Sequence, residues 1–114
     1  MSLEAQLDTL RSRNGLIESA SYIDMRSGTV LYTSSTVRPP QERLDQLCMT
    51  ATDILGGVDG EAAEAVSLKA TEALILCRAP REPGEALCLV CAPDVEVGSA
   101  LADARSALGG TDTA

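Results

Sequence analysis

The sequence predicts an α+β domain in three layers, α/β/α, around a five-stranded, mostly antiparallel sheet. Two short apolar runs, Ala73 to Ala79 and Ala86 to Ala92, flank six residues rich in Pro, Gly and charge, Pro80 to Glu85. That is the pattern of a hairpin with a long loop, in which Gly84 would supply a positive-φ position. Neither run alternates apolar with polar: Leu74, Ile75, Leu76 and Leu87, Cys88, Leu89, Val90 put apolar side chains on both faces. Strands apolar on both faces must be covered on both sides. Three helical stripes elsewhere supply covers, and the short links between successive strands make the sheet antiparallel.

The elements follow in order. Ser2 to Asn14 reads as a helix with Leu3, Leu7 and Leu10 on one stripe. Ser2 is placed to cap it, Glu4 sits in the first turn, and Asn14-Gly15 is a stop. Leu16 to Asp24 reads as the first strand, with a small-residue middle at Ser19-Ala20-Ser21. Met25 to Gly28 is a turn with Gly28 as its positive-φ residue. Val30 to Thr33 is the second strand, rich in β-branched residues and Tyr. After a linker, Ser34 to Arg38, Pro39-Pro40 opens the second helix. Leu44, Leu47, Cys48, Ala51, Ile54 and Leu55 give it the strongest helical pattern in the chain, and Gly56-Gly57 ends it.

Val58 to Ala63 is a loop, and Glu64 to Ala70 reads as a weakly alternating third strand. Its Glu64 and Lys69 suit a sheet edge. The central hairpin then supplies strands four and five. With a loop of Pro80 to Glu85, Cys77 would lie directly opposite Cys88. Pro93-Asp94 starts the last helix, striped by Val97, Ala100, Leu101, Ala104 and Leu108 and stopped by Gly109-Gly110. The order is helix, strand, strand, helix, three strands, helix. The first and third helices should cover one sheet face and the second helix the other. Residues 1–110 make one domain, and residues 111–114 read as a frayed, disordered tail.

Composition narrows the function. The 114 residues contain no His, no Phe and no Trp, and 17 acidic residues face 9 basic ones for a net charge of −8. An acidic, aromatic-poor surface suits nucleic acid badly, because phosphate neutralisation and base stacking lack their residues. Without His there is no Ser-His or Cys-His nucleophile, and the chain has no Gly-Lys-Ser/Thr phosphate loop. No stretch approaches the roughly 20 apolar residues of a membrane span, and no secretory leader is evident, so no membrane insertion and a cytoplasmic location are expected. Cys88-x-x-Cys91 has metal-like spacing, but an offset of three on a strand puts the two thiols on opposite faces. All four Cys therefore read as small buried hydrophobes, and neither a metal nor a cofactor is expected. The carboxylate pairs Glu42-Asp45 and Asp94-Glu96 read as exposed helix-end charges. Arg11, Arg13, Arg38 and Arg43 could donate an arginine finger in trans, but read as surface.

The element order resembles the roadblock family of dynein light chains, which has bacterial and archaeal members. The residues carrying the resemblance are the leucine helix running into Ile17-Glu18-Ser19-Ala20-Ser21-Tyr22-Ile23-Asp24 and the Asp24…Gly28-Thr29-Val30-Leu31 hairpin. The helix after Pro40 follows, then three strands, then Ala92-Pro93 leading to Val97-Gly98 and a helix ending at Leu108. The resemblance covers about residues 3–108. It implies a profilin-like/roadblock fold and a small non-enzymatic homodimer. Such dimers join edge to edge through the third strand, here Val66, Ser67, Leu68 and Lys69, with the second helices side by side.

The resemblance also implies a scaffold or regulator of a small Ras-like GTPase, the bacterial parallel being the partner of the gliding-motility GTPase. The partner would meet the outer face of the second helix: Gln41, Arg43, Gln46, Met49, Thr50 and Asp53. Two alternatives stay open, an adaptor subunit of a larger complex and a small-molecule or signal-sensing α/β/α module. A sensor would need a pocket lined by aromatics and convergent polar groups, and the chain has only Tyr22 and Tyr32.

Overall fold

The computed structural model describes residues 2–110; the expected tail at 111–114 lies outside them. Eight elements follow one another: α1 (Leu3–Arg13), β1 (Ile17–Asp24), β2 (Thr29–Ser35), α2 (Gln41–Leu55), β3 (Glu64–Leu68), β4 (Ala73–Arg78), β5 (Glu85–Cys91) and α3 (Val97–Gly110). The strands form one sheet in the order β2-β1-β5-β4-β3, with every neighbouring pair antiparallel. The expected αββαβββα order and three-layer architecture are therefore present.

The two apolar faces of the central hairpin make two cores. Ile75, Cys77, Leu87, Leu89 and Cys91 pack beneath α1 and α3, against Leu7, Leu10, Ala100, Ala104 and Leu108. Leu74, Leu76, Ala86, Cys88 and Val90 point the other way, against Leu44, Leu47, Cys48, Ala51 and Leu55 of α2. Cys88 and Cys91 thus belong to opposite cores. On α3 the buried residues are Ala100, Ala104, Ala107 and Leu108, with Val97 and Leu101 only partly buried against the same core. Ile54, expected in the α2 stripe, is 38% exposed on its flank.

Local signals explain the ends. Ser2 caps α1 by accepting from the Ala5 N–H at 3.2 Å. Asn14 closes the following turn by accepting from the Leu16 N–H at 3.0 Å. Gly28, Gly56 and Gly57 have φ of 69°, 81° and 74°, where a side chain is strained. Gly57 returns its N–H to the Thr52 carbonyl, so the glycine pair closes α2.

Four expectations need correction. α3 begins at Val97 rather than at Pro93-Asp94, because Glu96 caps it, accepting from the N–H groups of Gly98 and Ser99 at 3.2 and 2.6 Å. Its described end is Gly110, within the expected Gly109-Gly110 stop. β3 ends at Leu68, because the Lys69 N–H already donates to the Glu72 carbonyl in the turn to β4. The hairpin register is one residue off the expectation: Cys77 lies opposite Leu87 and Cys88 opposite Leu76. The cause is the loop, where Ala79 N–H donates to the Glu85 carbonyl, drawing Glu85 into β5. Gly84 is not a positive-φ residue. Its missing side chain leaves room for Arg26, whose Cζ would lie 2.6 Å from an added Cβ.

The thiols of Cys88 and Cys91 are pushed up to about 12 by burial. A thiol is reactive only as the thiolate. Titration with Ellman's reagent at pH 8 is therefore expected to show little reaction of the four thiols in the native protein and full reaction after denaturation. Fast native modification of Cys88 or Cys91 would contradict their packing.

Candidate functional site

Two surfaces stand out: the outer face of α2 with its flanking groove, and the free edge of β3. α2 is held along β4 by an arginine at each end. At its start, Arg43 Nη2 donates to both Glu72 carboxylate oxygens at 2.8 Å. At its end, Arg78 at the close of β4 donates to four carbonyls: Leu55 at 2.7 Å, Gly57 at 2.8 Å, Pro83 at 2.6 Å and Ala62 at 2.9 Å. One guanidinium thus ties the last turn of α2 to its following loop and to the hairpin loop, using the fixed fork that only Arg offers.

With α2 pinned this way, the six residues expected to meet a partner fall into two groups. Gln41, Gln46, Met49 and Asp53 are exposed, and Met49 keeps 68% of its surface. Thr50 is half-buried. Arg43 is half-buried as well and committed to Glu72, so it is a clamp rather than a free finger. Gln41 donates to Asp45 at 2.9 Å along the same helix.

β3 is a sheet edge, as its charges suggested. Arg78 N–H donates to the Ala63 carbonyl at 2.7 Å and Lys69 N–H to the Glu72 carbonyl at 2.9 Å. Between those two bonds the antiparallel ladder alternates. Residues 65 and 67 therefore turn their backbone groups to β4, and Glu64, Val66 and Leu68 turn theirs to the free edge. The side chains of the same three residues share the α3 side of the sheet, because their cross-strand neighbours Cys77, Ile75 and Ala73 belong to that core. Val66 is 37% exposed and Leu68 69%. Glu64 is tied to Arg105 of α3, and this hydrogen bond holds its carboxyl below the usual range. Of the four expected interface residues, Val66, Ser67 and Leu68 lie in the strand and Lys69 lies just past it.

Sequence reasoning missed Arg78, Glu72 and the polar pin between α1 and β2. In that pin, Ser34 and Tyr32 donate to Asp8 at 2.5 and 3.1 Å, and Arg11 donates to Ser34 and Thr36. Each is a long-range pairing that no local pattern announces. The one available hint was an arginine closing an otherwise wholly apolar strand.

Comparison with known structures identifies the architecture. A roadblock/LC7 domain from Streptomyces avermitilis superposes with a TM-score of 0.78 at 14% identity, over 98% of this chain and 96% of that one. The fold is the roadblock fold. The gliding protein MglB of Thermus thermophilus matches with a TM-score of 0.72 at 18% identity, over 96% of this chain and 84% of that one. Profilin of Schizosaccharomyces pombe matches with a TM-score of 0.64 at 16% identity, over 96% and 95%. No protein-family model matches the chain, and no curated protein matches it by sequence. Among the described residues no helix is long and apolar enough to cross a membrane.

Proposed function

We propose that the chain is a non-enzymatic, homodimeric scaffold or regulator that binds a small Ras-like GTPase in the cytoplasm. The observation that carries this reading is the roadblock fold shared with MglB, with an α2 outer face left open for recognition. Catalysis needs convergent groups of tuned pKa, whereas Arg43 with Glu72, Arg78, and Arg105 with Glu64 are spent on pinning helices to the sheet. Any effect on a partner's GTP hydrolysis then comes from ordering the partner's own loops.

The β3 edge supports self-association in a definite register. A two-fold axis normal to the sheet at Val66 sets Val66 against Val66 of the second copy, and Glu64 against its Leu68. All three outward-facing residues then exchange backbone bonds, about two per pair and about six in all. A shift of the axis by one position leaves an outward residue without a strand partner. The apolar Val66 and Leu68 become buried on the α3 side.

Val66→Cys is therefore expected to form an intermolecular disulfide under mild oxidation, while Leu68→Cys alone does not. Light scattering at micromolar concentration is expected to return twice the chain mass; a monomer would reject the dimer. The GTPase reading is tested by co-purification with a small Ras-like GTPase of the same organism, loaded with a GTP analogue or with GDP. No binding in either state rejects it.

A further inference from the structure

The α2 side of the sheet is only partly covered. Because α2 is pinned along β4, a groove of about 570 Å³ remains over β1, the end of β5 and the end of β2. That is the size of a small-ligand site. Three polar side chains are buried in the described structure: Ser19, Ser21 and Ser34. Ser21 shares a hydrogen bond with Thr33 at 3.1 Å, and Ser34 is held by Asp8 and Arg11. Ser19 differs. It is 6% exposed, its hydroxyl makes no hydrogen bond to any described residue, and it lines the groove. Among the described residues no fully buried side-chain oxygen or nitrogen lacks a partner, so the Ser19 hydroxyl opens into the groove, free to donate to a ligand there.

The other walls define what that is. Arg43 uses only Nη2 on Glu72, so its Nε and Nη1 protons stay available beside the groove. The oxygens of Glu72, each with one bond from Arg43, keep further acceptor capacity. Leu47 and Val90 line the groove with apolar surface. Its charges balance, since Arg11 and Glu18 face it as well as Arg43 and Glu72. A ligand carrying one net charge would upset that balance in a partly desolvated place, whereas a zwitterion would not.

We propose that this groove binds a small aliphatic zwitterion, an α-amino acid of the leucine type. Its carboxylate accepts from the Ser19 hydroxyl and the unused edge of Arg43, its ammonium sits beside Glu72, and its alkyl chain lies on Leu47 and Val90. The site is separate from the outer face of α2, so it does not depend on a GTPase partner.

The test is a titration of L-leucine into isotope-labelled protein, followed by amide chemical shifts. Saturable shifts are expected at Ser19, Arg43, Leu47, Glu72 and Val90. 4-Methylpentanoate, which lacks the ammonium, and 3-methylbutylamine, which lacks the carboxylate, are each expected to bind about tenfold more weakly or worse. Ser19→Ala is expected to weaken leucine about tenfold while leaving the melting temperature unchanged, since the hydroxyl bonds to no described residue. No saturable shift with leucine at millimolar concentration overturns the proposal. So does equal binding of either singly charged compound, or unaltered leucine binding by Ser19→Ala. None of these outcomes bears on GTPase co-purification, so the two readings fail separately.

Discussion

Replacing Arg78 by methionine is expected to destabilise the protein by about 3 kcal/mol, which for a domain of this size lowers the melting temperature by roughly 10–15 °C. Methionine keeps the apolar stem and removes only the guanidinium. Four carbonyls lose their donor. The bonds to Leu55 and Gly57 are partly buried and those to Ala62 and Pro83 are exposed, so water replaces the second pair at little cost. The estimate rests on the first pair alone, at about 1.5 kcal/mol each for a bond from a charged donor.

Arg78→Lys is expected to fall between, because one ammonium cannot reach carbonyls spread over three segments. Urea denaturation measures both variants, and a loss below about 1 kcal/mol in Arg78→Met would show that the clamp is decorative. Hydrogen exchange adds a local signature. Protection should drop first in the last turn of α2 and in 57–63, because Gly60 packs there on backbone, an added Cβ lying 2.8 Å from the Gly56 carbonyl carbon.

What could be read from the sequence follows from what is local. The i, i+3, i+4 stripe of α2, the apolar run on both faces of β4 and β5, and the glycines at 28, 56 and 57 are each decided within a few residues. Periodicity and turn chemistry therefore locate them. The hairpin register was missed because it depends on a single bond, Ala79 to Glu85, inside a loop whose length admits two closures. The start of α3 was missed because the Glu96 cap outweighs Pro93-Asp94. The groove was not legible at all. Its lining comes from α1, the chain that follows it, β1, the end of β2 and the segment after it, α2, the turn before β4, and β5. Ser19 looked only like a small residue in a strand. Its isolation appears once Ser21 and Ser34 are seen to have partners.

Met49→Asp is expected to abolish binding of the GTPase, by a hundredfold or more, while leaving the fold and the dimer unchanged. Met49 is the largest apolar side chain presented by the outer face of α2, 68% exposed between the exposed Gln46 and Asp53. A thioether on a flexible stem adapts to an irregular partner surface. An aspartate there would be desolvated without a counter-charge on a face that already carries Glu42, Asp45 and Asp53. Met49→Ala, which removes contact area alone, is expected to cost about tenfold. Because the residue touches no core, the melting temperature should stay within about 3 °C of wild type. Titration calorimetry against the nucleotide-loaded GTPase reads both variants, and wild-type affinity in Met49→Asp would move the partner off this helix. Arg43 needs a paired control, since its guanidinium holds Glu72. If Arg43→Ala and Glu72→Gln reduce stimulation of GTP hydrolysis alike, Arg43 acts by positioning the start of α2. If only Arg43→Ala does so with binding intact, the arginine reaches the partner's nucleotide, and the non-enzymatic reading falls.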